Sequence, residues 1–276
     1  MKIIEAIKTK IPSSLKKAIR RNVLLGDAGR NLTVKDDDIF IVSYPKSGNT
    51  WTRFLLGNLF HKDDEVTFAS VESKVPDIYQ NSDRGMLKLH SPRLLKSHEY
   101  FDPRYRRIIY IVRDPRDVAV SYYHHLIKVR AFEEYYPMGL FVQRFIKGEW
   151  DSFGSWGDNV GSWIGAKGSS NSFLLLRYED MLSDAQKELQ KVATFLELQV
   201  SDKQINDAVQ LSSFGRMREL EKSQAKEWRV IRSTRPDKPF VRSGKAGGWR
   251  TELVPEAADL IAGEWRGLME ELRYEI

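Results

Sequence analysis

The chain has 276 residues, of which 41% are hydrophobic and 30% charged, a composition typical of one globular domain. It has no cysteine, which excludes disulfides, thiolate metal sites and cysteine nucleophiles and fits a reducing compartment, so we expect a cytoplasmic protein. The net charge of +6 suits an anionic ligand but is too small to indicate nucleic acid. No run of about 18 apolar residues is present, so no transmembrane segment is expected.

The first 25 residues form a basic amphipathic segment in which isoleucines recur at helical spacing between lysines and arginines. Pro12 separates two short helices, because proline is tolerated only near a helix start. Two interpretations stay open: a helix packed on the main domain, or a helix on an anionic membrane surface or a partner. No linker interrupts the rest of the chain, so residues 1–276 are predicted to form one domain.

Apolar strands alternate with helices along the remainder of the chain. The predicted elements are strands at 38–44, 94–98, 107–112 and 172–176 and helices at 50–60, at 115–129 and from capping boxes at Ser183 and Ser201. Apolar strands that are each followed by a helix predict an α/β fold, with a parallel sheet flanked by helices on both faces. Ligands bind at the carboxyl ends of such strands, so the loops after Tyr44 and Val112 are the expected site.

The loop after the first strand, YPKSGNTW at 44–51, joins a strand to a helix and predicts an anion cradle. Free N–H groups and the helix dipole favour a phosphate there, and Lys46 adds a positive charge. A nucleotide triphosphatase loop carries its lysine after the glycines, whereas Lys46 precedes Gly48. A kinase or nucleotide triphosphatase is therefore disfavoured and remains the alternative enzyme class.

Arg113 ends the apolar strand at 107–112, where a charge is costly unless it meets a partner. Its guanidinium fork is suited to a phosphate, because it can bond two oxygens at once. The alternative interpretation is a surface ion pair between Arg113 and Asp117.

Four segments resemble, in the same order, the cytosolic sulfotransferases that use 3'-phosphoadenosine 5'-phosphosulfate (PAPS). They are YPKSGNTW at 44–51, LLKSH at 94–98, IVRDPRDVAVSYY at 111–123 and PFVRSGKAGGWR at 239–250. The resemblance implies a P-loop-like nucleotide-binding core that takes PAPS and releases the desulfated product PAP. It assigns Lys46, Ser47, Gly48, Asn49 and Thr50 to the 5'-phosphate, Arg113, Ser121, Arg242, Ser243 and Gly244 to the 3'-phosphate, and Trp51, Tyr178, Ser212 and Phe214 to the adenine.

Four positions depart from the family's pattern, namely Asn49, Ser243, Gly248 and Arg250. Asn49 stands where the family often has threonine, and an amide can still hydrogen-bond a phosphate oxygen. Ser243 stands where the family has a lysine, so one positive charge is lost, and Lys245 is the candidate to replace it.

The Lys-x-His pattern of Lys96 and His98 places both side chains on one face of a strand. In the family that this segment resembles, the histidine is the base. The hypothesis is that His98 accepts the acceptor's proton, while Lys46 and Lys96 stabilise charge on the transferring group. The serine that Ser121 matches contacts the loop lysine in the family. A sulfuryl group carries less charge than a phosphoryl group, so no metal is required. A non-catalytic PAP-binding module is the second alternative.

The acceptor is predicted to be a small molecule that offers a hydroxyl or an amine. Segments 62–88 and 130–163 contain many aromatic residues and are the expected walls of its pocket, which favours an apolar or aromatic acceptor. A phenol, a steroid, a lipid and a sugar all stay open, as does the oligomeric state.

Overall fold

A computed structural model describes residues 28–168 and 170–276. The amphipathic segment at 1–25 lies outside the described residues, and the single domain over 1–276 stays a prediction. The described part contains one four-stranded parallel sheet with strand order β2-β1-β3-β4. Its strands are β1 (Ile39–Ser43), β2 (Leu94–Ser97), β3 (Arg107–Val112) and β4 (Phe173–Arg177).

Helices surround this sheet, and several short ones were not predicted. A 3-10 turn at Gly29–Asn31 precedes β1. In chain order the α-helices are α1 (Asn49–Phe60), α2 (Val71–Lys74), α3 (Asp83–Met86), α4 (Pro115–Lys128), α5 (Met138–Ile146), α6 (Trp156–Lys167), α7 (Tyr178–Ser183), α8 (Ala185–Phe195), α9 (Asp202–Leu211), α10 (Phe214–Gln224), α11 (Trp249–Glu252), α12 (Pro255–Glu264) and α13 (Arg266–Glu271). In the described ranges none of them has the length and hydropathy that crossing a bilayer requires.

The sheet buries both of its faces, as the near-continuous apolar strands predict. In β1, Phe40 and Val42 pack with α4, α5, α6 and α12, whereas Ile39 and Ile41 pack with α1, α7, α8 and α9. The alternation follows from the two-residue period of a strand. A further cluster joins α1 to α10 through Phe54. The predicted α/β fold is confirmed.

One predicted helix start was wrong. Ser183 is the last residue of α7, and the cap of α8 is Asp184, whose carboxylate accepts the N–H of Lys187 at 2.9 Å. Asp184 has a non-helical backbone, and its negative charge also suits a helix N-terminus. The capping box of Ser201 with Gln204 is present as predicted.

The chain order positions the site. From β1 the chain crosses to β2, which pairs with one edge of β1. It then returns to β3, which pairs with the other edge of β1. The connections that leave the carboxyl ends of β1 and β3 therefore run in opposite directions, which makes this a switch point, where open α/β sheets form a crevice. The loop 44–48 and Arg113 both lie at this point.

Candidate active site

A cavity of about 520 Å³ opens at the carboxyl ends of the strands. It brings together all but two of the residues predicted for the site; Ser47 and Ser212 do not line it. The predicted residues that line it are Lys46, Gly48, Asn49, Thr50, Trp51, Lys96, His98, Arg113, Ser121, Tyr178, Phe214, Arg242, Ser243 and Gly244.

The first wall is the loop from β1 into α1. Gly48 has a φ of 101°, and a Cβ there would lie 2.5 Å from the Tyr178 ring, so only glycine fits. No side chain caps α1, which leaves the N–H groups of its first turn for a ligand. This backbone geometry is that of an anion site.

The polar side chains of Ser47 and Asn49 in this loop are both buried. The amide of Asn49 donates to the Ile41 carbonyl and to Ser43 Oγ, both at 3.2 Å, so its side chain braces β1. Its role toward a phosphate then rests on its backbone N–H. The Ser47 hydroxyl is fully buried and has no hydrogen-bond partner.

Lys46 places its ammonium inside the cavity, 4.9 Å from the centre of the Phe240 ring. Burial lowers its pKa to about 7, helped by the positive charges of Arg113 and Lys96. An anion among these cations would restore the lysine's charge.

Arg113 is held by contacts on several sides. Its Nη2 donates to the Lys245 carbonyl at 3.0 Å, and its guanidinium lies 4.3 Å from the Tyr178 ring centre. The ion pair with Asp117 exists at 3.8 Å, but both side chains are buried, so the surface interpretation was wrong. Nε of Arg113 is buried without a partner, which leaves a donor for a ligand.

Asp117 fastens the C-terminal segment to the site. Its carboxylate accepts the N–H groups of Gly247 at 2.7 Å and Trp249 at 3.0 Å. In the same segment Arg242 pairs with Glu252 at 2.8 Å. These contacts bring the segment at 242–249 beside Arg113, as the motif order predicts.

Aromatic side chains form the outer wall. Trp51 packs edge-on against Tyr178 with ring centres 5.7 Å apart, and Phe214 is 44% exposed beside the cavity. Gly244 has a φ of 59°, and a Cβ there would lie 2.6 Å from the Phe214 ring. Ser212 supports this wall from behind, because its carbonyl accepts the Trp51 indole N–H and its hydroxyl is bonded by Asn58.

His98 follows β2 and lines the cavity. Its Nδ1 lies 2.6 Å from the Ser43 carbonyl and must therefore donate, which leaves Nε2 as a free acceptor. Burial lowers the pKa of His98 well below its usual value, and the charge of Lys96 lowers it further. The imidazole is therefore neutral at pH 7, with a lone pair available as a base.

Lys96 has a partner that the sequence did not reveal. Its ammonium lies 2.8 Å from Asp77 Oδ2, and both side chains are buried. Burial lowers the pKa of Lys96, while Asp77 acts in the opposite direction. The backbone of Asp77 forms an isolated parallel β-bridge with Lys96 beside β2, which places the two side chains next to each other.

Tyr122, His125 and Asp151 also line the cavity and were not predicted as site residues, whereas Tyr79 lies in the predicted wall segment 62–88. His125 lies one turn after Ser121 on α4, a spacing that could have indicated it. Asp151 lies on an irregular segment, where no periodicity signals the direction of a side chain. Within residues 28–168 and 170–276 no group of three or more His, Cys, Asp or Glu could hold a metal ion.

The arrangement defines a class of site: a cationic, backbone-lined anion cradle next to a buried neutral imidazole. Residues 36–271 match the sulfotransferase domain family, and dog sulfotransferase 1B1 is 31% identical over 265 residues, 88% of each chain. The chain therefore belongs to the sulfotransferase family.

Two solved structures are also similar. Mouse sulfotransferase SULT7A1 complexed with PAP is 27% identical, with a TM-score of 0.70 over 89% of this chain and 88% of that one. Retinol dehydratase in complex with androsterone and PAP shares the fold. It is 20% identical, with a TM-score of 0.76 over 93% of this chain and 88% of that one. The predicted family and its P-loop-like α/β fold are confirmed.

Proposed function

We propose that this chain transfers a sulfuryl group from PAPS to a hydroxyl of a small acceptor, with His98 as the base. The single observation that carries the proposal is the cavity that joins the anion cradle at Lys46 to the free Nε2 of His98. PAPS, when bound, supplies the sulfuryl group. The family gives the reaction class, and the described residues suggest how this chain performs it.

The donor-binding residues fit PAPS by three features. The uncapped N-terminus of α1 and the ammonium of Lys46 suit the 5'-phosphosulfate. The buried, unpartnered Nε of Arg113 suits the 3'-phosphate, with Arg242 at the same end of the cavity. Trp51 and Phe214 offer ring faces for the adenine.

The acceptor's proton has a defined destination. As the acceptor oxygen bonds to sulfur and the bond between sulfur and the 5'-phosphate oxygen breaks, the hydroxyl proton passes to Nε2 of His98. The Ser43 carbonyl holds Nδ1 and so fixes the tautomer that accepts at Nε2. Lys46 and Lys96 stabilise the negative charge that develops on the leaving oxygen and the sulfuryl oxygens.

Lys96 would act from its ion pair with Asp77. An ammonium has three N–H donors, and Asp77 occupies one of them. The pair holds the ammonium in place in the low-dielectric cavity while leaving two donors free. Ser121 lines the same part of the cavity and is proposed to contact the loop lysine.

The acceptor's apolar or aromatic character and the protein's cytoplasmic location stay predictions. Phe153, whose ring packs against His98, and Tyr79 line the cavity beside the proposed base and favour an aromatic body. Nothing in the described residues favours the kinase, and a PAP-binding module without activity would have no use for the free Nε2 of His98.

Calorimetry with PAP, and with ATP in the presence and absence of magnesium, tests the donor. We expect magnesium-independent binding of PAP that Arg113→Ala abolishes, whereas Arg107→Ala, an exposed arginine at the start of the same strand, leaves it unchanged. Preference for ATP with magnesium would overturn the proposal. PAP binding without sulfuryl transfer to any acceptor would support the binding module instead.

A further inference from the structure

The acceptor end of the cavity contains a carboxylate without an ion pair. Asp151 lines the cavity, accepts the Phe153 N–H at 2.7 Å through Oδ1 and accepts the Tyr122 hydroxyl through Oδ2. In the described part of the chain, no lysine, arginine or histidine pairs with it. A carboxylate offers about four acceptor sites, so about two remain open. Asp151 is half-buried, and a carboxylate withdrawn from water is normally paired, so its open acceptor sites can take a cationic partner.

The charges of the cavity are separated between its two ends. Lys46, Arg113 and Arg242 line the donor end, where the predicted ligand is anionic. Two carboxylates line the other end, and one of them, Asp77, is already neutralised by Lys96. The charge that is left at the acceptor end is therefore that of Asp151. Burial raises the pKa of Asp151 to about 6, so the group remains mostly ionised at neutral pH.

Aromatic side chains connect this carboxylate to His98. Phe153, whose N–H donates to Asp151, has its ring centre 5.4 Å from that of His98. Tyr79 lies 5.0 Å from the Phe153 ring and 6.3 Å from His98. His98, these aromatic faces and Asp151 line one cavity, so a ligand with two polar groups can place one at His98 and the other at Asp151. This part of the cavity therefore combines a polar group at His98, the apolar rings of Tyr79 and Phe153, and a second polar group at Asp151.

We propose that Asp151 binds an ammonium group of the acceptor, so that the preferred substrates carry a hydroxyl and a protonated amine separated by a small apolar or aromatic body. This inference rests on the proposed sulfuryl transfer and names its substrate class. The hydroxyl oxygen gains the sulfuryl group, its proton goes to His98, and the ammonium stays on Asp151 unchanged. A protonated amine has no lone pair, so sulfation occurs on oxygen and not on nitrogen.

Matched acceptors test this substrate class directly. Tyramine and 4-ethylphenol differ only by the ammonium at the end of the side chain, and 6-aminohexan-1-ol and heptan-1-ol form an aliphatic pair of similar length. We expect kcat/KM to be about 10-fold or more higher for the amine of each pair, because a desolvated carboxylate favours a cation. Asp151→Asn should remove this preference, so that the ratio of kcat/KM between tyramine and 4-ethylphenol falls to about 1.

Two controls distinguish a loss of acceptor specificity in Asp151→Asn from a general loss of structure or donor binding. Asp259→Asn changes an exposed carboxylate on α12 and should keep the preference for the amine. Calorimetry of PAP should give the same affinity for wild type and Asp151→Asn, since Asp151 lies at the acceptor end. Mass spectrometry of the product from tyramine should show sulfate on the phenolic oxygen.

Several outcomes would overturn the inference. Equal kcat/KM for both members of each pair in the wild type would do so, as would a preference that survives in Asp151→Asn, or sulfate on nitrogen. PAP binding and sulfation of 4-ethylphenol report separately on the proposed function. If no acceptor is sulfated, calorimetry measures tyramine binding to the PAP complexes of wild type and Asp151→Asn. Equal or absent binding of tyramine at about 1 mM in both proteins would contradict the inference.

Discussion

The two ends of the cavity are built in different ways. At the donor end the geometry is set by backbone: the uncapped start of α1, the left-handed Gly48 and the close approach of Gly244 to Phe214. At the acceptor end it is set by side chains from irregular segments, with Asp77 and Asp151 as examples. A backbone cradle accepts few substitutions, whereas a pocket made of side chains can change its ligand without disturbing the sheet. The difference predicts that variants at the two ends affect separate steps.

Replacing the proposed base, His98, gives the largest expected effect. His98→Gln removes the acceptor lone pair at Nε2, and loss of a general base lowers kcat by about 10²–10⁴-fold. The affinity for PAP should stay within about twofold, because His98 serves the acceptor. Initial rates with a fixed acceptor and calorimetry of PAP measure the two quantities. His90→Gln, at an exposed histidine outside the cavity, is the control, and a kcat for His98→Gln close to wild type would exclude the histidine base.

Arg113→Lys tests the donor end alone. Lysine keeps the charge but loses the planar fork and the contact with the Tyr178 ring, so PAP should bind about 10- to 100-fold more weakly. The kcat at saturating donor should change much less than for His98→Gln. Arg107→Lys, on the exposed end of the same strand, should behave as wild type. An unchanged affinity for PAP in Arg113→Lys would show that the fork does not hold a phosphate.

The donor end could be predicted from the sequence because its groups follow directly from strand ends. Buried strands at 38–44 and 107–112 place their following loops at one edge of a parallel sheet, so Lys46 and Arg113 had to come close. The strand Leu94–Ser97 likewise brings His98 to this edge. Local hydrophobic patterns were sufficient for these positions.

Side-chain direction and tertiary pairing could not be predicted in the same way. Asn49 has two plausible sets of partners, and only the packed structure shows that its amide braces β1. Ser212 matches a family position, but its hydroxyl is used by Asn58. Asp77 and Asp151 lie on segments without periodicity, and their partners are distant in sequence, so no local pattern gives their orientation.

Gly48→Ala tests the backbone cradle with a smaller effect. The new methyl would lie 2.5 Å from the Tyr178 ring at a φ of 101°, so we expect a loss of about 1–3 kcal/mol in the free energy of unfolding. PAP binding should weaken as well, because the ring or the loop has to shift. Gly139→Ala has open space around its Cβ and should cost nothing. Chemical denaturation of both variants measures the difference, and equal stabilities would contradict a rigid cradle.

The smallest predicted effect is the uptake of a proton by Lys46, at the donor end, when PAP binds. Lys46 has its pKa lowered to about 7 by burial and neighbouring cations, so at pH 8 about 0.9 of the free protein carries a neutral amine. A bound phosphate raises this pKa, and the complex then takes up that proton, so affinity for PAP falls as pH rises above about 7. Calorimetry at pH 8 in buffers of different ionisation enthalpy should show this uptake in wild type and in Lys88→Met, but not in Lys46→Met. At pH 6 the difference between these proteins should vanish, because Lys46 is already charged there. Identical uptake in all three at pH 8 would mean that Lys46 does not face the donor.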